Sequence, residues 1–228
     1  MHYADELPPA DIPIVAYGIK YNILRRPRQR SFKVRVVPAT TPAEETLKYH
    51  PAGVFLSTDD PEAMPYAHAA ARNLLGKVPI YGIYLGQQIL GHAFGGRTFK
   101  LQFGHRGANR PVKELASGKV AITAQNHSFA VDPESRPSGV EVTHINLNDQ
   151  TVEGMRHKQW PVFSVQCQPE ASPGPHDADG LFDRFRELIE KSSSARRNPA
   201  VPTRCRATGK AAVFLSNRPQ HERLCLCH

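Results

Sequence analysis

Residues Lys77–Gly95 read KVPIYGIYLGQQILGHAFG and contain the turn that decides the fold. Val78–Ile83 is apolar and favours a β-strand, and the residues after Gly86 follow a helical pattern. Gly82 and Gly86 bracket Tyr84 as G-x-Y-x-G, which marks a tight turn between the two elements. Such a turn lifts its middle side chain above the carboxyl end of the strand, with the N-terminus of the helix pointing at it. The position suits a nucleophilic Ser or Cys, and here it holds Tyr84.

Three further blocks accompany this turn: FGHRGANRPV at Phe103–Val112, ITAQNHSFAVD at Ile122–Asp132 and QCQPEASPGPHD at Gln166–Asp177. With the turn, they resemble the blocks of class I glutamine amidotransferases in the same order. The resemblance is closest to the amidotransferase part of the carbamoyl-phosphate synthase small chain. It extends over Ile14–Ile189.

The order of the elements indicates an α/β fold. Strands at Ile14–Tyr17, Val34–Val37 and Gly53–Ser57 alternate with helical segments such as Ala67–Leu75, and this rhythm predicts a doubly wound, mostly parallel sheet with helices on both faces. The resemblance implies the flavodoxin-like fold of class I amidotransferases. In such sheets the site lies beyond the carboxyl ends of the strands. Later elements are expected at Val120–Thr123, Glu141–Asn146, Phe163–Gln166 and Leu181–Glu190.

Charge divides the chain into unequal parts. Of the 29 Lys and Arg residues, eight lie at or after Lys191, where Glu222 is the single acidic residue, so 21 basic residues face 20 acidic ones before it. We therefore predict a leader at residues 1–13, an amidotransferase-like domain at 14–190 and a basic, disordered tail at 191–228. Because +7 of the net charge of +8 belongs to the tail and no aromatic platform accompanies it, the charge argues against nucleic acid as a partner.

The sequence also indicates the cellular location and whether a metal or cofactor is expected. There is no signal peptide and no long apolar run, and only four cysteines are present, so we predict a cytoplasmic protein with no membrane association. The Cys-x-Cys-His sequence at Cys225–His228 lacks a second ligand pair at useful spacing. We predict no metal and no cofactor.

The catalytic positions implied by the resemblance are Tyr84, Gln168 and Glu170, where the family has a Cys nucleophile and a His-x-Glu pair. A phenol has a reference pKa of about 10 and is largely protonated at neutral pH. The amide of Gln168 has no basic nitrogen that could activate a nucleophile. Cys167 offers no replacement, because neighbouring residues on a strand face opposite sides of the sheet. We therefore predict that this chain has lost glutaminase activity.

Substrate recognition is expected to survive in part at most. Ser128 stands where the family has Gly, and the phenol of Tyr84 projects into the space of the reacting amide, so we expect weak glutamine binding or none. The strained turn is also expected to relax, since it no longer serves a reactive group. By resemblance, the positions that contact glutamine are Leu85, Gln88, Asn126, Ser128 and Phe129.

The loop at Thr58–Pro65 supplies a further reason to expect inactivity. In the family, a glycine-containing loop here helps to hold the substrate amide and the oxyanion. This chain has Ser57-Thr58-Asp59-Asp60-Pro61 instead, without the glycines that let the backbone approach closely.

In the family, this domain hydrolyses glutamine and passes ammonia to a large ATP-dependent synthetase subunit, which makes carbamoyl phosphate for pyrimidine and arginine synthesis. The resemblance thus implies that the partner is this large subunit, although family small chains carry an N-terminal domain that this sequence does not show. Two alternatives remain open. One is residual amidohydrolase activity through other groups, and the other is a non-catalytic protein that binds acidic partners through its basic tail.

Overall fold

The fold is known from a computed structural model, which describes residues 11–17, 21–57, 64–169, 177–178 and 180–197. The strands are β1 Ile12–Tyr17, β2 Phe32–Val37, β3 Gly53–Leu56, β4 Ile80–Ile83, β5 Thr98–Glu114, β6 Val120–Val131, β7 Val140–Asn146, β8 Val152–His157 and β9 Val162–Val165. The helices are α1 Tyr21–Arg28, α2 Ala43–Lys48, α3 Met64–Leu74, α4 Leu85–Ala93 and α5 Gly180–Arg197.

All nine strands belong to one sheet, in the order β2-β1-β3-β4-β9-β8-β6-β5-β7. The first five strands of this order are parallel, and we call them the parallel half. Within it, Ile83 at the end of β4 lies opposite Val165 at the end of β9. The segments that follow these two strands therefore leave the sheet at the same edge.

Helices cover both faces of the parallel half, as the sequence predicts. On one face, α3 and α4 pack on strand residues such as Val54 and Ile80. On the other face, Phe182 and Phe185 of α5 pack on Phe55. Because both faces are buried, the short central strands β3, β4 and β9 consist almost entirely of buried residues, as expected of parallel strands between two helical layers.

The remaining four strands, β5 to β8, close on themselves. β6 pairs with β5, β5 with β7, β7 with β8, and β8 returns to β6 at a single position where Val131 faces Val152. We call this closed set the antiparallel barrel. It joins the parallel half through the antiparallel pairing of β8 with β9.

Some sequence predictions fall outside the described residues: the leader up to residue 10, the part of the substituted loop at residues 58–63, Glu170, and residues 198–228. The final helix continues to Arg197, seven residues beyond the Glu190 that its apolar stripe indicated. Among the described helices, none combines the length and the apolar character needed to cross a membrane.

Candidate functional site

The turn between β4 and α4 keeps a strained backbone. Tyr84 has φ 57° and ψ −111°, a conformation that costs a residue with a Cβ on the order of 1–3 kcal/mol. The expectation that the turn relaxes is therefore wrong. The flanking glycines explain why: a Cβ at Gly86 would lie 2.0 Å from the carbonyl oxygen of Leu56, and one at Gly82 would lie 2.8 Å from the oxygen of Gly86. The helix and strands approach so closely that the backbone is held at Tyr84.

The phenol of Tyr84 spans the gap between the turn and β6. Its hydroxyl donates a hydrogen bond to the carbonyl oxygen of Asn126 at 2.5 Å, and its partly buried ring packs against the core clusters on both faces of the parallel half. The Tyr84 backbone N–H donates to the carbonyl of Val165 at 2.9 Å. Tyr84, the middle residue of this turn (the elbow), is thus held through both its side-chain hydroxyl and its backbone N–H.

Gln88, one of the predicted glutamine contacts, is 5% exposed, and its side-chain amide makes hydrogen-bonding contacts with other parts of the protein. Its Nε2 donates to the carbonyl oxygen of Phe129 at 3.1 Å and lies 3.4 Å from Oε1 of Gln166. Gln166 in turn donates to the carbonyl oxygen of Tyr84 at 3.3 Å. These bonds tie the first turn of α4 to β6 and to the end of β9.

The other predicted contacts lie around the same turn. Leu85 begins α4 and is buried, Asn126 is exposed, and Phe129 is 44% exposed. Ser128 is half-buried, and its Oγ accepts a hydrogen bond from Nη2 of Arg106 at 3.0 Å. The structure therefore brings the predicted contacts on α4 and β6 to one region. Their contact with glutamine stays a prediction.

Gln168 follows β9, so it leaves the sheet beside Tyr84 at the same edge. It is half-buried, and its backbone N–H donates to the carbonyl of Ala124 at 3.0 Å. Cys167 next to it is 3% exposed and packs in the α5-facing core, as the alternation of strand residues predicts. The nearest thiol thus belongs to the core of the parallel half.

Behind Asn126, the antiparallel barrel encloses a polar network that the sequence reasoning missed. Oε1 of Gln125 lies 3.0 Å from Nδ1 of His105 and 3.0 Å from Nε2 of His127, while its Nε2 donates to Oε2 of Glu153 at 2.9 Å. All four residues are at most 5% exposed. The period-two spacing of Gln125 and His127 on one strand was the available signal, but the partners come from β5 and β8.

The pKa values of the two histidines in this network are shifted in opposite directions. The hydrogen bond to Glu153 raises the pKa of His105, and Asp149 adds to this against the effect of burial. Burial lowers the pKa of His127 and so favours its neutral form. The network holds β6 directly behind the carbonyl that receives the Tyr84 hydroxyl.

Comparison with known proteins identifies the family. Residues 14–188 match the family described as glutamine amidotransferase class-I. The chain belongs to this family. The doubly wound parallel half agrees with the fold predicted for a class I amidotransferase domain.

Among similar members of the class I amidotransferase family are carbamoyl phosphate synthase small chains. The chain is 58% identical over 190 residues to that of Akkermansia muciniphila, covering 82% of this chain and 51% of the relative. It is 52% identical over 186 residues to the chloroplastic small chain of Arabidopsis thaliana, covering 80% of this chain and 43% of the relative. The chain thus spans about half the length of these relatives.

A solved structure shows the same amidotransferase fold. A putative GMP synthase protein from Thermoplasma acidophilum superposes with a TM-score of 0.68 at 19% identity, covering 82% of this chain and 98% of that one. At this identity the likeness concerns the fold alone.

Proposed function

We propose that this chain is a carbamoyl-phosphate synthase small-chain-like amidotransferase domain that does not hydrolyse glutamine. The observation that carries the proposal is the residue at the elbow. Tyr84 keeps the strained backbone, but its hydroxyl donates to the carbonyl of Asn126. A protonated phenol that is held as a donor cannot attack a substrate carbonyl.

The missing base supports the same proposal. Gln168 leaves the sheet beside the elbow, where the resemblance places a histidine, and a carboxamide cannot take a proton from a nucleophile. By the same resemblance, Glu170 stands where the family has the residue that orients this histidine. Two of the three groups that amide hydrolysis needs are absent from the predicted catalytic positions.

The partner follows from the similarity to small chains. We propose that a large ATP-dependent synthetase subunit is the protein that this domain contacts, within carbamoyl-phosphate synthesis for pyrimidines and arginine. A cytoplasmic location remains part of the proposal, although some similar relatives, such as the one from Arabidopsis thaliana, are chloroplastic.

The test is ammonia release from glutamine by the purified full chain, with and without a large synthetase subunit. The unmodified chain is compared with a Tyr84→Cys, Gln168→His double variant, which restores the nucleophile and the base at the positions given by the resemblance. A Tyr84→Ala, Gln168→His variant is the matched control, because it also removes the phenol but adds no thiol.

We expect no ammonia above the protein-free rate from the unmodified chain. Release by the double variant and not by its control would mean that only the reacting groups were lost. Silence in both variants would place a second defect in the substituted loop at Thr58–Pro61. Hydrolysis by the unmodified chain would overturn the proposal and require a nucleophile other than Tyr84.

A further inference from the structure

The buried network in the antiparallel barrel places two acceptor atoms, one from His127 and one from Gln125, against each other. Nδ1 of His127 lies 2.8 Å from the carbonyl oxygen of Phe129, which can only accept, so Nδ1 carries the hydrogen. In the neutral imidazole, Nε2 of His127 then carries a lone pair and can only accept. It lies 3.0 Å from Oε1 of Gln125, which is also an acceptor. Two acceptors therefore point at each other in a buried place.

His105 repeats this arrangement. Its Nε2 lies 2.7 Å from the carboxylate of Asp149, which fixes the hydrogen on that nitrogen in the neutral ring. Its Nδ1 then faces the same Gln125 oxygen at 3.0 Å and Oε1 of Glu153 at 3.5 Å. One nitrogen of each imidazole, Oε1 of Gln125 and Oε1 of Glu153 thus converge, and at Nδ1 of His105 either a second ring proton or a cation completes the contact.

A donor from the end of β7 lies close to two of these atoms. Nδ2 of Asn146 donates to Oε1 of Glu153 at 2.9 Å and lies 3.5 Å from Nδ1 of His105. The orientation of this amide is fixed, because its oxygen accepts from the backbone N–H of Asn148 at 3.0 Å. Asn146 therefore leaves the contact between His127 and Gln125 uncompensated, and a buried contact of this kind requires a positive charge or an added proton.

We propose that His105, His127 and Glu153, with Gln125 as a fourth oxygen ligand, form a binding site for a divalent transition-metal ion of the zinc class. The ligand atoms of the two histidines and Glu153 lie within 4.8 Å of one another. Tetrahedral zinc with bonds of about 2.0–2.1 Å separates its ligands by about 3.3 Å, close to the separations of 3.0, 3.0 and 3.5 Å around Gln125 and His105. Imidazole and carboxylate are ligands that zinc accepts.

The surroundings of the two imidazoles fit metal ligation. Metal-binding histidines usually donate their other N–H to a carboxylate or a backbone carbonyl. His105 has Asp149 in this place, and His127 has the carbonyl of Phe129. Asp149 is itself held by the N–H and the hydroxyl of Thr151 at 3.2 and 2.8 Å.

The sequence predicted no metal because its ligands lie on three separate strands, β5, β6 and β8. The ion would fasten these strands directly behind the Asn126–Phe129 segment of β6, opposite the turn at Tyr84. This role is independent of the function proposed above.

The test measures metal bound to the full chain, produced without a tag. Cys205, Cys225 and Cys227 are changed to Ser in every sample, because tail thiols also bind zinc. The protein is exposed to Zn²⁺, passed over a desalting column with a weak chelator, and analysed by mass spectrometry for metal. Glu153→Leu and His127→Leu remove ligands without adding another oxygen or nitrogen, and His157→Leu is the control, since it removes a histidine of β8 outside the network.

We expect about one zinc per chain in the background protein and in the control, with at least a ten-fold loss in both ligand variants. Full zinc content in a folded Glu153→Leu protein would overturn the proposal. So would the absence of zinc from the background protein, which would favour a rotated Gln125 amide with a proton on Glu153.

A second measurement avoids variants that fail to fold. ¹¹³Cd is added to the ¹⁵N-histidine-labelled background protein, and NMR is used to look for coupling between the metal and ring nitrogens. Coupling to Nδ1 of one histidine and Nε2 of another supports the site. Coupling to no ring, or to one ring alone, overturns it.

Discussion

The parallel half and the antiparallel barrel bury different kinds of side chain. In the parallel half, Phe55, Tyr81 and Phe163 pack with the helices in two apolar layers. In the barrel, the apolar cluster is small, and the interior includes Gln125 and Glu153. Apolar packing needs only approximate shape, whereas buried polar groups need partners at fixed positions. The first region can therefore lose its reacting groups and keep its fold, while each polar residue of the second depends on its neighbours.

The largest expected effect tests where stability resides. Phe185→Ala empties a site at the centre of the α5-facing core, where the ring contacts Phe32, Phe55 and Tyr81. We expect a loss of about 3–5 kcal/mol in the free energy of unfolding, measured with urea. Phe103→Ala in β5 is the control, because its side chain is 82% exposed, and its loss should stay below about 0.5 kcal/mol. Equal losses of unfolding free energy in the two variants would contradict the view that stability resides in the apolar layers of the parallel half.

Gly86→Ala should be nearly as damaging, at about 3 kcal/mol, because the new Cβ would lie 2.0 Å from the backbone oxygen of Leu56. The helix α4 would have to move away from β3. At Gly180, the first residue of α5, an added Cβ meets nothing within 4 Å, so Gly180→Ala should change the unfolding free energy little. Similar thermal unfolding of the two variants would show that the close approach at Gly86 is not needed.

Backbone strain at the elbow predicts a reversal of the usual order of Gly and Ala. Both Tyr84→Gly and Tyr84→Ala remove the phenol and its bond to Asn126, but only glycine adopts φ 57° and ψ −111° without strain. Tyr84→Gly should therefore be more stable than Tyr84→Ala by about 1–3 kcal/mol in denaturant titrations. If Tyr84→Ala is the more stable of the two, the turn has relaxed.

A smaller effect concerns His68 on α3, which stacks on His92 with ring centroids 4.5 Å apart. Burial, helped by the charges of His92 and Arg72, lowers the pKa of His68 to about 4. The unfolded chain takes up this proton near pH 6.5, so the contribution of His68 to stability is complete above that pH and is lost as the pH falls toward 4.

Because the ring is partly exposed, the expected loss between pH 7 and 5 is about 1 kcal/mol. His68→Gln should reduce the dependence of unfolding free energy on pH in this window and leave it unchanged between pH 7 and 8. A variant that follows the parent at every pH would contradict the assignment to His68. The remaining slope should include His92, whose pKa burial also lowers.

Much of the parallel half could be predicted from the sequence. The apolar run before Tyr84 gave β4, the residues after Gly86 gave α4, and Phe182 with Phe185 indicated the buried face of α5. These signals are local, because periodicity reports burial along a single element. The extent of β5, from Thr98 to Glu114, had no such signal, since His105 and Val112 are its only buried residues.

The sequence alone determined the family resemblance and the doubly wound parallel sheet, and it predicted that Tyr84 and Gln168 stand in place of the reacting groups. Only the tertiary structure decided that the elbow stays strained, and that His105, His127 and Glu153 meet inside the barrel. The physical reason is the range of the interactions. Burial patterns and residue identity are properties of one segment, whereas the strain at Tyr84 is imposed by helix and strand contacts at its flanking glycines, and the polar network is assembled from three strands.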